Sequence, residues 1–165
     1  MIKVFRWALP SFLAITALVV GGAWYQTISI VPFWQQHISM FKNYGHWGTG
    51  YFPILSPLMT VLWLIVLITG LRVKSSNKTI LYIGHFLFLV IMVSTLAYFA
   101  PFLLTYMGHP NNNISDQQLV TMLDTWAKWD YVRQIVGLVV LFIFIQSYGK
   151  VEFVTNSRPE IGNRQ

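Results

Sequence analysis

The chain has no cysteine and very little charge, with five acidic residues and eleven Lys or Arg among 165. Without thiols there is no disulfide, no thiolate nucleophile and no cysteine ligand for a metal, and the chain is compatible with either redox compartment. Charged residues make up 10% of the chain, against about 25% in an ordinary soluble domain. Neither a Walker sequence nor GxGxxG occurs, so no nucleotide fingerprint is present. GxSxG and HExxH are also missing, which removes the local signatures of a serine hydrolase and a zinc protease.

What is abundant is apolar. Hydrophobic residues make up 55% of the chain, with 12 Phe, 8 Tyr and 7 Trp, and the mean hydropathy is +0.56. A soluble fold would need a very large core behind very little polar surface, a difficulty that bilayer lipid removes. Four runs predict membrane-spanning helices. The first covers residues 7–30; its basic start suggests a secretion signal, but the run is too long and aromatic and lacks a small-x-small cleavage pattern. Pro10 is accommodated in its first turn or gives a modest kink. Gly21, Gly22 and Tyr25 lie close together on its surface, suited to close helix packing or to space for a bound molecule. The second run covers 51–71, and the third begins near residue 79, with Pro101 ending or bending it. The fourth has an uninterrupted apolar centre of only 11 residues, whereas crossing takes roughly 20. Extending it over 129–148 draws Asp130, Arg133 and Gln134 into its first turns.

The expected fold is therefore all-α, a four-transmembrane-helix bundle within a single domain of residues 1–150, followed by a polar tail at 151–165. Four spans put both termini on one side. That side would carry Lys3, Arg6, Arg72, Lys74, Lys78, Lys150, Arg158 and Arg164 against Glu152 and Glu160. On the other, Lys42, Lys128 and Arg133 balance Asp116, Asp124 and Asp130. The positive-inside rule then makes both termini cytoplasmic, in a bacterial inner membrane or another membrane with a cytoplasmic face. Topology accounts for the whole formal charge of +6, so nucleic acid is not an expected partner and anionic lipid headgroups are.

Two longer connections fall outside and are expected to be structured. The first, with Pro32, Trp34 and Trp47, suits an interfacial cap. The second regains helicity near Ser115, which would cap a short helix whose amino end Asp116 favours. Asn113-Ile114-Ser115 and Asn77-Lys78-Thr79 match the glycosylation sequon, but the motif is weak, and the second falls on the inner side.

The most informative polar group opens the fourth helix. Trp126, Asp130, Arg133 and Gly137 follow spacings of 4, 3 and 4 and so share a face, and Trp129 is an i,i+4 neighbour of Arg133. Arg133 should snorkel, pair with Asp130 or enter the bundle. It is either a structural ion pair and headgroup anchor or a substrate-facing cation for an enolate, phenolate or carboxylate. A permanently charged guanidinium is a poor base, so its chemical role would be electrostatic. His37, His46 and His109 lie towards the outer side, as a candidate metal cluster or as ordinary loop histidines. His85, one or two turns inside the third helix, is a candidate haem ligand or proton shuttle, or else a packed polar side chain; one histidine without a second ligand is a weak haem signal. Asp116 and Asp124 suit solvated helix ends.

The early GGAWYQ, the FPILSPLM opening of the second helix, the exit YFAPFLLTY of the third and above all WAKWDYVRQIVGL resemble the anthrone-oxygenase-like (DUF1772) family of small four-helix membrane proteins. In that pattern a tryptophan and a polar residue precede an arginine at the start of the last helix. Trp126, Trp129, Asp130 and Arg133 are the local version, with Asp130 where asparagine is common. The resemblance implies oxygenation of a lipophilic phenolic, anthrone-like or quinone-like substrate without a metal or flavin. Arg133 would stabilise the enolate, and Tyr25 or a histidine would relay the proton. Two other readings stand beside it: a non-enzymatic membrane interaction or assembly subunit, as a homo-oligomer or with a partner membrane subunit, and a metal- or haem-binding electron-transfer subunit.

Overall fold

The computed structural model describes residues 2–44, 52–70, 78–109 and 114–148, and every regular element among them is helical. The expected inner loop at 71–77, the tail, His46, Trp47 and the sequon residues Asn77 and Asn113 lie outside the described residues. The order is α1 (Ile2–Tyr25), a π-helical turn (Gln26–Ile30), α2 (Val31–Gln36), α3 (Ile38–Tyr44), α4 (Phe52–Gly70) and α5 (Lys78–Ser94). A second π turn (Thr95–Phe99), α6 (Ala100–Tyr106) and α7 (Asp116–Tyr148) follow. Among the described residues, four continuous helical spans are long and apolar enough to cross a membrane: Lys3–Gln36, Phe52–Gly70, Lys78–Tyr106 and Asp116–Ser147.

The first and fourth of these spans overrun their expected bounds for identifiable reasons. Pro32 and Pro101 do not end their helices. Each lacks an N–H, and in each case the turn just ahead widens: Val31 N–H reaches the Gln26 carbonyl and Ala100 N–H that of Thr95. A π turn of this kind relieves the clash of a proline ring with the preceding carbonyl while the helix continues. The fourth span is one 33-residue helix, with no separate short helix ahead of it. Ser115 caps it as expected, its Oγ accepting from Gln118 N–H at 3.3 Å while Gln118 Oε1 accepts from Ser115 N–H at 3.3 Å, a reciprocal capping box. At 1.5 Å per residue α7 is roughly 50 Å long, against a hydrocarbon layer of about 30 Å.

The tight helix pairs are α1–α4, α5–α7 and α1–α7. Each has a glycine where the two surfaces meet. A Cβ on Gly70 would lie 3.3 Å from Phe5, one on Gly84 2.8 Å from Ile143, and one on Gly137 3.2 Å from Val20. Small residues at such crossings let transmembrane helices approach closely, which drives association where lipid competes equally for apolar surface. The α4–α5 seam is filled by large rings instead. Trp63 lies 5.1 Å from Phe88 and 6.2 Å from His85, and Phe12 and Phe144 close the circuit with contacts of 5.0 to 5.3 Å.

Two apolar cores result. One, built from α1, α4, α5 and α7, centres on Phe12, Trp63, Phe88, Val140 and Phe144. The other joins α2, α3 and α6 to the first turns of α7 through Trp34, Phe41, Phe102, Leu123 and Trp126. The second forms a folded cap on one end of the first. Gly108, at φ 74°, turns the chain after α6 and donates its N–H to the Phe41 carbonyl at 3.1 Å. Lys42 holds the start of α7 by contacts to Asp116 at 2.5 Å and the Ile114 carbonyl at 3.1 Å.

Candidate functional site: a polar layer between the two cores

The strongest concentration of buried polar chemistry lies where the two apolar cores meet. The π turn after α1 contributes Thr27, the π turn after α5 contributes Thr95 and Phe99, and α7 contributes Asp130, Arg133 and Gln134. The i+3 and i+4 spacings from Asp130 put both of its α7 neighbours within reach. Asp130 is 0% exposed. Its Oδ2 accepts from Thr27 Oγ1 at 2.5 Å and from Gln134 Nε2 at 2.5 Å, and its Oδ1 faces Arg133 Nη2 in an ion pair. Gln134 Nε2 also lies 2.6 Å from Thr27 Oγ1 and 3.0 Å from the Ala23 carbonyl. The acceptors on that side fix the amide orientation, since a flipped Gln134 would set its oxygen against a carboxylate and a carbonyl.

Arg133 is held on two further sides. Its Nη1 donates to Thr95 Oγ1 at 3.0 Å, and its guanidinium carbon lies 4.1 Å over the Phe99 ring, a cation–π contact. The side chain is 15% exposed. Asp130 and Arg133 together are neutral, which is how an intramembrane charge is ordinarily tolerated. For Arg133 to stabilise an enolate, the substrate oxyanion would have to compete with a carboxylate already in place.

The level of this layer can be read from the surface aromatics. Tyr25, Tyr98, Trp129 and Tyr131 are exposed at its height, and Trp24 packs against Tyr131 at 5.8 Å. Near the opposite, basic end Trp7 and Tyr82 are exposed close to Lys3, Arg6 and Lys78. From Trp7 to Tyr25, and from Tyr82 to Tyr98, a helix climbs roughly 24–27 Å. Two aromatic girdles at that separation match the spacing of the rims of a hydrocarbon layer. The Asp130–Arg133 pair accordingly lies at the girdle away from the basic end, between the first core and the cap.

The candidate residues from the sequence divide as follows. Trp126, Asp130, Arg133 and Gly137 share the inward face of α7, with Trp126 stacked 6.1 Å from Phe102 and edge-on to Phe99 at 5.6 Å. Tyr25 and Trp129, each 59% exposed, point away from the layer into the aromatic girdle. His85 is buried elsewhere, between Trp63 and Phe144 in the membrane core, so a haem there would have to displace one of those rings. His37 stacks on Phe33 at 4.5 Å, and its Nδ1 donates to the Phe33 carbonyl at 3.1 Å. His109 is exposed, and His46 lies outside the described residues. Among the described residues no three His, Asp or Glu side chains are placed to hold a metal ion.

Thr27, Thr95, Phe99 and Gln134 were not anticipated as site residues. Gln134 was accessible from its i+4 spacing to Asp130. Thr27 and Thr95 depend on π turns, for which only Pro32 and Pro101 are visible signs in the sequence. No protein-family model, curated protein or solved structure matches the chain.

Proposed function

We propose that this chain is a non-catalytic membrane interaction or assembly subunit, oriented with its basic end in the cytoplasm. The observation that carries the proposal is the mutual pairing of Asp130 and Arg133 within the layer, where Gln134 Oε1 is left without a hydrogen-bond partner among the described residues. Its carboxylate is occupied by Arg133, Thr27 and Gln134, and its guanidinium by Asp130, Thr95 and Phe99. Such a layer behaves as a clasp, fixing the cap to the bundle through one neutral, hydrogen-bonded unit. A second feature supports assembly. Gly70, Gly84 and Gly137 each answer a close contact within the chain, whereas a Cβ on Gly21 would meet nothing within 4 Å. A glycine inside a helix costs about 1 kcal/mol relative to alanine, and at Gly21 no contact within the described residues offsets it. A helix of a second copy or of a partner subunit, seated along Leu18, Gly21 and Tyr25, would supply that contact.

Site-directed cross-linking from Leu18 and Tyr25 in native membranes tests the reading. A discrete adduct that Gly21→Leu removes, with helical content unchanged, is the expected result; a lack of any discrete adduct would count against assembly. Oxygen consumption with product profiling on lipophilic phenols tests the oxygenase alternative in parallel. Turnover by the native protein that Arg133→Gln abolishes would replace the present reading with that one.

A further inference from the structure

The outer surface of the α1–α4 pair carries a groove of about 410 Å³ near the basic end. Val4, Trp7 and Ala8 of α1 form one wall, and Leu62 and Ile65 of α4 form the other. Lys3 stands at the headgroup end and Ser11 at the deep end, roughly 12 Å further into the hydrocarbon. The lining is almost wholly apolar, because the one hydroxyl in it is turned to its own helix: Ser11 Oγ donates to the Trp7 carbonyl at 2.9 Å. Trp7, 80% exposed, marks the rim of the membrane beside it. An apolar slot lying along the membrane normal, with a cation at its headgroup end, has the shape and charge of a lipid site.

We propose that this groove binds one anionic phospholipid, with an acyl chain lying between α1 and α4 and the phosphate held by Lys3. Charge complementarity selects this occupant over a second copy of the chain. A two-fold dimer through this face would join identical patches and set Lys3 of one copy near that of the other at the same membrane depth. Among the described residues Lys3 makes no ion pair; a phosphodiester supplies that counter-charge and an uncharged partner helix does not. The groove is on the opposite end of the bundle from the Asp130–Arg133 layer and about two turns from Leu18 along the same face of α1, so it does not rest on that layer, and the lipid and a partner helix would occupy successive stretches of one face.

Native mass spectrometry of the full-length protein, released from nanodiscs containing equal phosphatidylglycerol and phosphatidylcholine of matched chains, tests it directly. The expected result is one retained phosphatidylglycerol per chain, preferred over phosphatidylcholine. Lys3→Gln, at an exposed position where folding is not at stake, should reduce that preference about five-fold, the effect of one basic residue at an anionic surface. Ser11→Phe fills the deep end and should remove the retained lipid, with circular dichroism confirming the fold. Equal retention of the two lipids, an unchanged preference in Lys3→Gln, or full retention in a folded Ser11→Phe would each overturn the proposal. So would displacement of the lipid by inorganic phosphate, or a dimer that Lys3→Gln strengthens.

Discussion

Replacing Asp130 by leucine removes the carboxylate on which the polar layer is built and leaves its donors facing an apolar side chain. Removing one partner of a buried pair typically costs about 3–5 kcal/mol. The lower end applies here, because Arg133 keeps Thr95 and Phe99 and its side chain is 15% exposed at the membrane rim, where it can shift its head towards water. Thr27 and Gln134 also lose an acceptor, although the Ala23 carbonyl remains within reach of both. Hydrogen bonds between transmembrane helices average roughly 0.6 kcal/mol, so these two add about 1 kcal/mol together. The expected loss is about 3–4 kcal/mol. Exchanging both members, Asp130→Leu with Arg133→Met, removes the stranded charge and should restore most of it, since apolar replacements of a whole buried pair are often neutral or better. The double variant should therefore be about 2–3 kcal/mol more stable than Asp130→Leu alone, and with the Arg133→Met single variant a cycle yields the coupling, read from reversible unfolding in detergent followed by helicity. A single-variant cost under about 1 kcal/mol, or a coupling under about 0.5 kcal/mol, would show that the layer is not a clasp.

Gly84→Ala should destabilise by about 1–3 kcal/mol in the same unfolding assay, because the new methyl would sit 2.8 Å from Ile143 across the α5–α7 contact. Gly21→Ala, with open space around it, should instead stabilise the isolated chain by up to about 1 kcal/mol; a loss would mean that its surroundings are occupied. Ser115→Ala removes one half of the α7 capping box and should cost about 1 kcal/mol, with faster amide exchange confined to the first turn of that helix. Lys42→Ala loosens the cap rather than the bundle. Asp116 is 63% exposed, so the global effect should stay below about 1 kcal/mol while exchange rises at residues 114–119.

Much of the architecture was legible because a membrane reads few variables. Length, apolarity and the placement of basic residues give four spans and put the termini on one side, and none of these depends on how helices pack. The inward face of α7 was equally readable, since the spacing of Trp126, Asp130, Arg133 and Gly137 fixes their common direction in any helix. Its boundaries were less so. The polar stretch 116–128 reads as a short helix apart from the last span, yet it is continuous with it, and Leu119, Leu123 and Trp126 are buried against α2, α3 and α6. Likewise Pro101 reads as an end or a bend and Pro32 as part of an outer connection, but helix continues through each because the widened turn ahead absorbs the proline.

What the sequence determined by itself is a four-span helical chain, polarised in charge, whose last helix must bring an acid and an arginine to the edge of the membrane. Only the tertiary structure decided what those two residues meet. Thr27 and Thr95 come from positions 103 and 38 residues distant from their α7 partners, and both are presented by π turns. A hydropathy pattern fixes which residues can be in lipid. Which polar atoms neutralise one another depends on the rotation and contact of three helices, and that is set by packing at Gly84 and Gly137.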